Sequence, residues 1–276
     1  MTDTAALLRA GNASPMTLSG TNTWVLRAGG AAVLVDPGPQ DPEHLAAIAD
    51  VGEIALILLT HGHPDHSDAV GAVHAATGAP VRARDAAWCR DAPALAADET
   101  IVCAGVQLRV LATPGHTADS ACFVLTGDGA GSVLTGDTML GEGTTVVAYP
   151  DGRLAPYLES LRRLSSLAGM RVLPGHGPPL ADAARAARAY LAHREMRLKQ
   201  VRDAVRAGDT TSWEVVRRVY ADVDPVLWPA AERSVRAQLE YLAPEGLSEA
   251  PPATSAPAAA PRESGRDPVQ QGEVSR

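Results

Sequence analysis

Short strand-like runs rich in apolar residues alternate along most of the chain with stretches where apolar positions recur every three or four residues. The runs at residues 23–26, 31–35, 54–59, 106–111, 121–126, 132–135 and 171–173 are too short for buried helices and rich in branched side chains. They predict strands covered on both faces. Helical spacing predicts helices over 42–50, 66–77 and 154–167. Strands alternating with helices define an α/β architecture. From about Ala181 the pattern becomes helical only, over 184–206, 212–220 and 229–242, with Gly208 and Pro225 as breaks. Residues 250–276, rich in Pro, Ala, Ser, Glu and Gln and without aromatics, are expected to be disordered.

Composition narrows this picture. With 276 residues and 46% hydrophobic content, the chain can bury a large layered core and an accessory unit, and a single Phe leaves the packing to aliphatic side chains. Cys89, Cys103 and Cys122 are scattered and odd in number, so neither a disulfide framework nor a thiolate metal cluster is indicated, and a reducing cytoplasmic compartment is expected. Residues 1–10 lack a basic segment followed by an apolar stretch, and no apolar run reaches the roughly 18 residues of a membrane helix. A soluble, unexported protein without membrane partners is the expectation.

The densest chemistry is His61-Gly62-His63-Pro64-Asp65-His66, which places three imidazoles and a carboxylate just after the apolar run 54–59. An extended backbone turns the alternating His61 and His63 toward one point, leaving Asp65 and His66 to reach a second. Three further donors, His116, Asp137 and His176, each follow a glycine at the end of an apolar stretch. Glycine there permits a sharp turn and a close backbone approach to a crowded site. Imidazole and carboxylate donors without thiolate suit zinc, while manganese and iron remain compatible. Asp36, leaving the run 31–35 beside Pro37-Gly38, is a candidate to orient one of the imidazoles, or to bond its own turn. His44 and His74 lie in helical patterns with no companion donor and are expected to be ordinary half-buried or exposed imidazoles; His193 is read as structural. The loop 140–146, with Glu142 among glycines and threonines, is a candidate substrate loop or a plain surface loop.

His61, His63, Asp65, His66, His116, Asp137 and His176 together resemble the ligand series of the metallo-β-lactamase superfamily. Within it, the stretches 12–22, 140–146, 174–178 and 190–194 are most similar to the beta-lactamase-like protein 2 group, over about residues 12–242. The resemblance implies a four-layer αββα sandwich at 1–183 and a small C-terminal helical, winged-helix-like unit at 184–246; here its β wing is expected to be truncated, because Pro244-Glu245-Gly246 runs into the tail at 247–276. It also implies two divalent ions, zinc foremost: His61, His63 and His116 on one, Asp65, His66 and His176 on the other, Asp137 between, and a bridging hydroxide as nucleophile. Two such ions, two aspartates and one hydroxide leave about one positive charge, which favours an electron-rich group. Asp65 is the candidate catalytic residue, orienting the nucleophile and handling its proton.

Substrate class is where these signals diverge. The group resemblance implies an endoribonuclease acting on single-stranded RNA. The net charge of −8, and eight basic against eight acidic residues over 197–245, offer no basic face for a phosphate backbone. A small ester, thioester, lactone or amide is therefore the leading expectation. A non-catalytic interaction protein is the reading of another class, and it has no need of seven aligned donors.

Overall fold

The computed structural model describes residues 4–127, 131–147 and 149–247; the expected tail, apart from Leu247, lies outside the described residues. Ten strands among these residues form two sheets. β1 (Ala5–Arg9), β2 (Asn22–Leu26), β3 (Ala32–Val35), β4 (Ile54–Leu58) and β5 (Val81–Arg82) make the first, in chain order. β6 (Thr100–Cys103), β7 (Val106–Ala112), β8 (Ala121–Thr126), β9 (Ser132–Gly136) and β10 (Arg171–Pro174) make the second, in the order β10-β9-β8-β7-β6. Both are mixed: β1 to β3 and β6 to β9 pair antiparallel, whereas β3-β4-β5 and β9-β10 are parallel. The helices are α1 (Pro42–Ala49), α2 (Pro64–Ser67), α3 (Val70–Thr77), α4 (Leu154–Leu164), α5 (Ala183–Arg206), α6 (Ser212–Val219) and α7 (Trp228–Leu242).

Side-chain alternation along the strands builds the layers. Trp24, Leu26, Val33, Val35, Leu56 and Leu58 point from the first sheet toward Leu108, Val110, Phe123, Leu125, Leu134 and Leu173 of the second. Their neighbours Val25, Leu34, Ile57 and Leu59 point the other way, onto Ile48 of α1 and Val70 and Val73 of α3. On the far side of the second sheet, Leu111, Cys122, Val124, Val133 and Val172 pack beneath α4 and the C-terminal helices. Three apolar interfaces thus separate four layers, helix, sheet, sheet and helix, and strands buried on both faces account for the near-continuous apolar runs.

The C-terminal helices share the third interface instead of standing apart: Tyr190, Leu198, Val215, Val235 and Leu239 belong to the same packed cluster as Tyr157 and Leu161 of α4. α6 starts at a capping box between Thr211 and Glu214. No strand follows β10 among the described residues.

Three strands went unpredicted. β1 is an edge strand whose Ala-Ala-Leu-Leu-Arg reads equally as helix. β5 has only two residues. β6 joins β7 through Ala104 and Gly105, both at positive φ, and Ala at such a turn carries no sequence signal. The helix expected over 66–77 is broken in two, because the backbone N–H of Ala69 donates to the carbonyl of Gly38 (3.0 Å) as the chain passes the β3 exit loop.

The strand ends position the site. β4, β9 and β10 all run out toward one end, and Asn22 ties the two sheets there: its side-chain amide donates to the carbonyls of Pro174 (3.0 Å) and Gly177 (2.9 Å).

Candidate metal centre

Each of the seven predicted donors arrives at the same point by a different local device. His61 follows β4; His63 occupies the N-cap position of α2, where Pro64 starts the helix with its preset φ; His66 lies in the last turn of that helix. His116 sits on the β7–β8 connection, Asp137 follows β9 and His176 follows β10. Glycine is needed ahead of these donors. A Cβ on Gly115, whose φ is +146°, would lie 2.3 Å from Cα of Tyr157. One on Gly175 would lie 2.6 Å from Oδ1 of Asp137 and 2.7 Å from Cε1 of His66, inside the site itself.

The donor atoms form two groups. Nδ1 of His63 lies 3.1 Å from Nε2 of His61 and 3.0 Å from Nε2 of His116, and Oδ2 of Asp137 is 3.7 Å from that His116 nitrogen. Nε2 of His66 and Nε2 of His176 are 3.2 Å apart, and Oδ2 of Asp65 stands 3.5 and 3.1 Å from them. Oδ1 of Asp137 is 3.4 Å from both. The aspartate therefore turns one oxygen toward each group. Four ligands about 2.05 Å from a tetrahedral ion are about 3.3 Å from one another, so these spacings match donors gathered around cations.

The remote ring nitrogens decide what the near ones present. Nδ1 of His116 donates to the carbonyl of Val146 (2.5 Å), Nδ1 of His66 to Oδ2 of Asp36 (3.0 Å), and Nδ1 of His176 to the carbonyl of Gly20 (3.3 Å). The Thr60 hydroxyl donates to Asp36 (2.7 Å), leaving its oxygen to accept from Nδ1 of His61 (3.0 Å). With the remote nitrogens so engaged, Nε2 of His61, His66, His116 and His176 is the nitrogen each ring turns to a shared buried space, where a proton or a metal cation can be held. Oδ1 of Asp137, buried without a hydrogen-bond partner among the described residues, needs such a partner. The residues fit divalent ions.

Electrostatics separates the two groups. Burial opposes charge on every imidazole here, and with neighbouring histidines it lowers His61 well below its ordinary value and His116 to about 4; His63 is lowered too. At His66 and His176 burial is outweighed by carboxylates. Asp137 and Asp36 hold His66 well above its ordinary value, and Asp137 with Asp65 holds His176 at about 9. Asp137, in turn, is kept well below the usual carboxylate range despite its burial, by His176 and His66.

A proton balance follows. At pH 7 without metal, His66 and His176 carry protons while His61, His63 and His116 do not. Loading an ion at Asp65, His66 and His176 should release about two protons per chain, and its affinity should fall as pH drops below about 9. Calorimetry in buffers of different ionisation enthalpy measures that release; none at pH 7 contradicts the balance. For the metal-free fold the sign is opposite to that of a buried carboxylate: the raised His176 stabilises fully below its ordinary value of 6.5, and that gain is lost as pH rises through about 9.

Asp36 acts one step behind the donors. It sits at φ +54°, accepts from the backbone N–H of Thr60 (2.7 Å) and holds His66, so it links the β3 exit to both halves of the His61–His66 segment. Of its two sequence readings, orienting an imidazole is the one this arrangement supports. Asp36→Ala is expected to weaken metal binding by about 10- to 100-fold with the fold retained, as measured by competition with a chromogenic chelator.

Beside the donors lies a cleft of about 290 Å³, with His116 and Asp137 on its floor and Leu140 to Val146 along one side. α5 forms another wall. His193, expected to be structural, lines this cleft, as do Arg194 and Arg197, which carried no sequence signal beyond the likeness of 190–194. Tyr190 connects wall to loop: its hydroxyl accepts from the backbone N–H of Leu140 (2.9 Å). Asn22, Thr60 and Tyr190 are the supporting residues that sequence reasoning did not isolate, since each acts through a tertiary contact. His44 is more buried than expected, at 4% exposure, with Nε2 2.8 Å from the Thr23 hydroxyl; His74 is half-buried against the carbonyl of Ala79. The three cysteines are free and outside the site.

Known proteins resemble this chain in sequence and fold. Residues 16–176 match the family model described as metallo-beta-lactamase superfamily, and residues 211–249 match the beta-lactamase associated winged helix domain. The chain is similar to the beta-lactamase-like protein 2 homolog of Drosophila melanogaster, 33% identical over 264 residues covering 85% of this chain and 86% of the relative. It is likewise similar to the beta-lactamase-like protein 2 homolog of Caenorhabditis elegans, at 32% over 274 residues, 91% of this chain and 88% of the relative. Among solved structures, a metallo-beta-lactamase family protein from Thermus thermophilus superposes with a TM-score of 0.75 at 26% identity, over 88% of this chain and 94% of that one. With a family match that spans all seven donors and a layered fold shared with its solved neighbour, the chain belongs to the metallo-beta-lactamase superfamily of metal-dependent hydrolases and carries a beta-lactamase associated winged helix domain.

Proposed function

We propose that the protein hydrolyses an acyl bond, an ester, thioester, lactone or amide, in a small molecule, using two divalent ions. His61, His63 and His116 hold one ion, Asp65, His66 and His176 hold the other, and Asp137 lies between them. Zinc is the preferred metal, because neutral imidazoles and carboxylates with no thiolate suit it. Bound there, such ions lower the pKa of water to about 7 and neutralise charge that develops on a carbonyl oxygen. The chain's own part is to place the donors, supply the carboxylates that neutralise the ions, and shape the cleft. Asp65 is the proton-handling residue: its contacts with His66 and His176 both run through Oδ2, and it is the more exposed of the two aspartates, 27% against 11%. In the metal-free protein its carboxyl is held below the ordinary range, burial being outweighed by His176 and His66, so it is ionised at neutral pH.

The observation that carries the acyl reading is the cleft: about 290 Å³, mostly apolar, and walled in part by α5 and α7 residues such as His193 and Ala231. That is room for a small molecule. The net charge of −8 also disfavours a long polyanion. No helix among the described residues is long and apolar enough to cross a membrane. The free cysteines support a reducing, cytoplasmic setting.

Purified, metal-loaded protein tested against thioester, lactone, β-lactam and labelled single-stranded RNA panels decides substrate class. Chelator-sensitive turnover of an acyl substrate is expected. RNA cleavage with no acyl turnover would replace this reading by the endoribonuclease one.

A further inference from the structure

The cleft wall formed by α5 holds two guanidiniums and an imidazole that the hydrolytic chemistry does not use. His193 and Arg197 are four residues apart and Arg194 is three from Arg197, so one helical face presents all three, and all three line the cavity. Each has a buried nitrogen without a hydrogen-bond partner among the described residues: Nδ1 of His193, Nε of Arg194 and Nε of Arg197. Their remaining contacts hold them still. Arg194 donates to the carbonyl of Thr145 and lies over the Tyr157 ring, 5.1 Å from its centre. Arg197 donates to the carbonyl of Val219 (2.8 Å) and lies 4.5 Å over the Tyr220 ring.

Neither guanidinium is paired with a carboxylate by these contacts. Of the acids in the lining, Asp137 is engaged with His66 and His176, and Glu142 is exposed. A buried donor left unmatched is costly, and two fixed guanidiniums in an apolar cavity lack a counter-charge. We propose that His193, Arg194 and Arg197 form a subsite for a carboxylate on the end of the substrate away from the reacting bond. The protein then selects small acyl compounds that carry a second, anionic end. A carboxylate is the small anion that such guanidiniums bind through charge-assisted hydrogen bonds, and it fits a cleft of this size. The choice of an acyl compound rests on the function proposed above; the subsite itself does not.

Binding and turnover test the two separately. Zinc-loaded protein labelled with ¹⁵N at histidine is titrated with glutarate and, separately, with pentanamide. Glutarate should move the His193 ring signals and bind at least about tenfold more tightly than the amide, as a charge-assisted contact requires. His193→Ala and Arg197→Gln should each weaken glutarate by at least about fivefold and leave pentanamide unaffected. Melting temperature verifies folding, and His193→Ala, at a half-buried cleft position, keeps the test sound should Arg197→Gln unfold. The preference in kcat/KM for 4-nitrophenyl hydrogen glutarate over 4-nitrophenyl pentanoate should fall by a similar factor in both variants. Glutarate binding that neither variant alters would place the carboxylate on the metal ions and overturn the subsite. So would variants that weaken a single-stranded RNA oligonucleotide but not glutarate. Normal glutarate discrimination without turnover of any ester would support the subsite and reject the acyl reading alone.

Discussion

Replacing Asp137 with alanine is expected to remove bound metal and activity together. Its two oxygens face different donor groups, Oδ2 toward His116 at 3.7 Å and Oδ1 toward His66 and His176 at 3.4 Å, so no other residue is shared by both. Without it, five imidazoles and Asp65 must hold two doubly charged ions with a single carboxylate, and both affinities suffer. The ions supply several kcal/mol of charge stabilisation, and each ~1.4 kcal/mol is a tenfold in rate, so turnover should fall by about 10³-fold or more. The metal-free variant should lose some stability, because Asp137 is the carboxylate that holds charge on buried His66 and His176, so its melting temperature is read beside its metal content. Elemental analysis should show the native content of about two ions falling to well under one. The native protein should lose thermal stability on chelation, whereas the variant has little to lose. A variant that retains both metals and loses only activity would remove Asp137 from between the ions.

Asp65→Asn separates proton handling from metal loading. Asparagine keeps the size and one carbonyl oxygen of the native side chain, but it cannot take up a proton. If Asp65 handles the proton of the attacking water, kcat should drop by about 10²- to 10⁴-fold, with the ion at His61, His63 and His116 retained. Loading of the other group should weaken as well, since His176 loses a charged neighbour at 3.1 Å. Saturating metal should restore occupancy without restoring rate. Recovery of rate along with occupancy would reduce Asp65 to a ligand.

Much of this centre is legible in the sequence because its chemistry is local. His61 to His66 compress four donors into one strand exit, and glycines 115, 136 and 175 announce the crowded approaches of His116, Asp137 and His176. The burial of β2 to β4 and β8 to β10 is equally visible, since each reads as a mostly apolar run, whereas β7 alternates, with Gln107 exposed between buried Val106 and Leu108. What escapes is tertiary. β1 and β6 lie at sheet edges, where one-sided exposure dilutes the pattern, and Asn22 looks like any polar residue until its amide meets the Pro174 and Gly177 carbonyls. The balanced charge of 197–245 conceals the cleft wall for a different reason: Arg202 and Arg218 pair with Glu245 and Asp209 on the outside, whereas Arg197, like Arg194 just before that window, turns to the cavity. A count of charges has no direction.

The central claim is that the seven donors enclose two cations. A crystal structure of metal-loaded protein with anomalous difference density at the zinc edge tests it most directly. Two peaks are predicted, one enclosed by His61, His63 and His116 and one by Asp65, His66 and His176, with Asp137 touching both. A single peak, or two peaks held by other side chains, would contradict it.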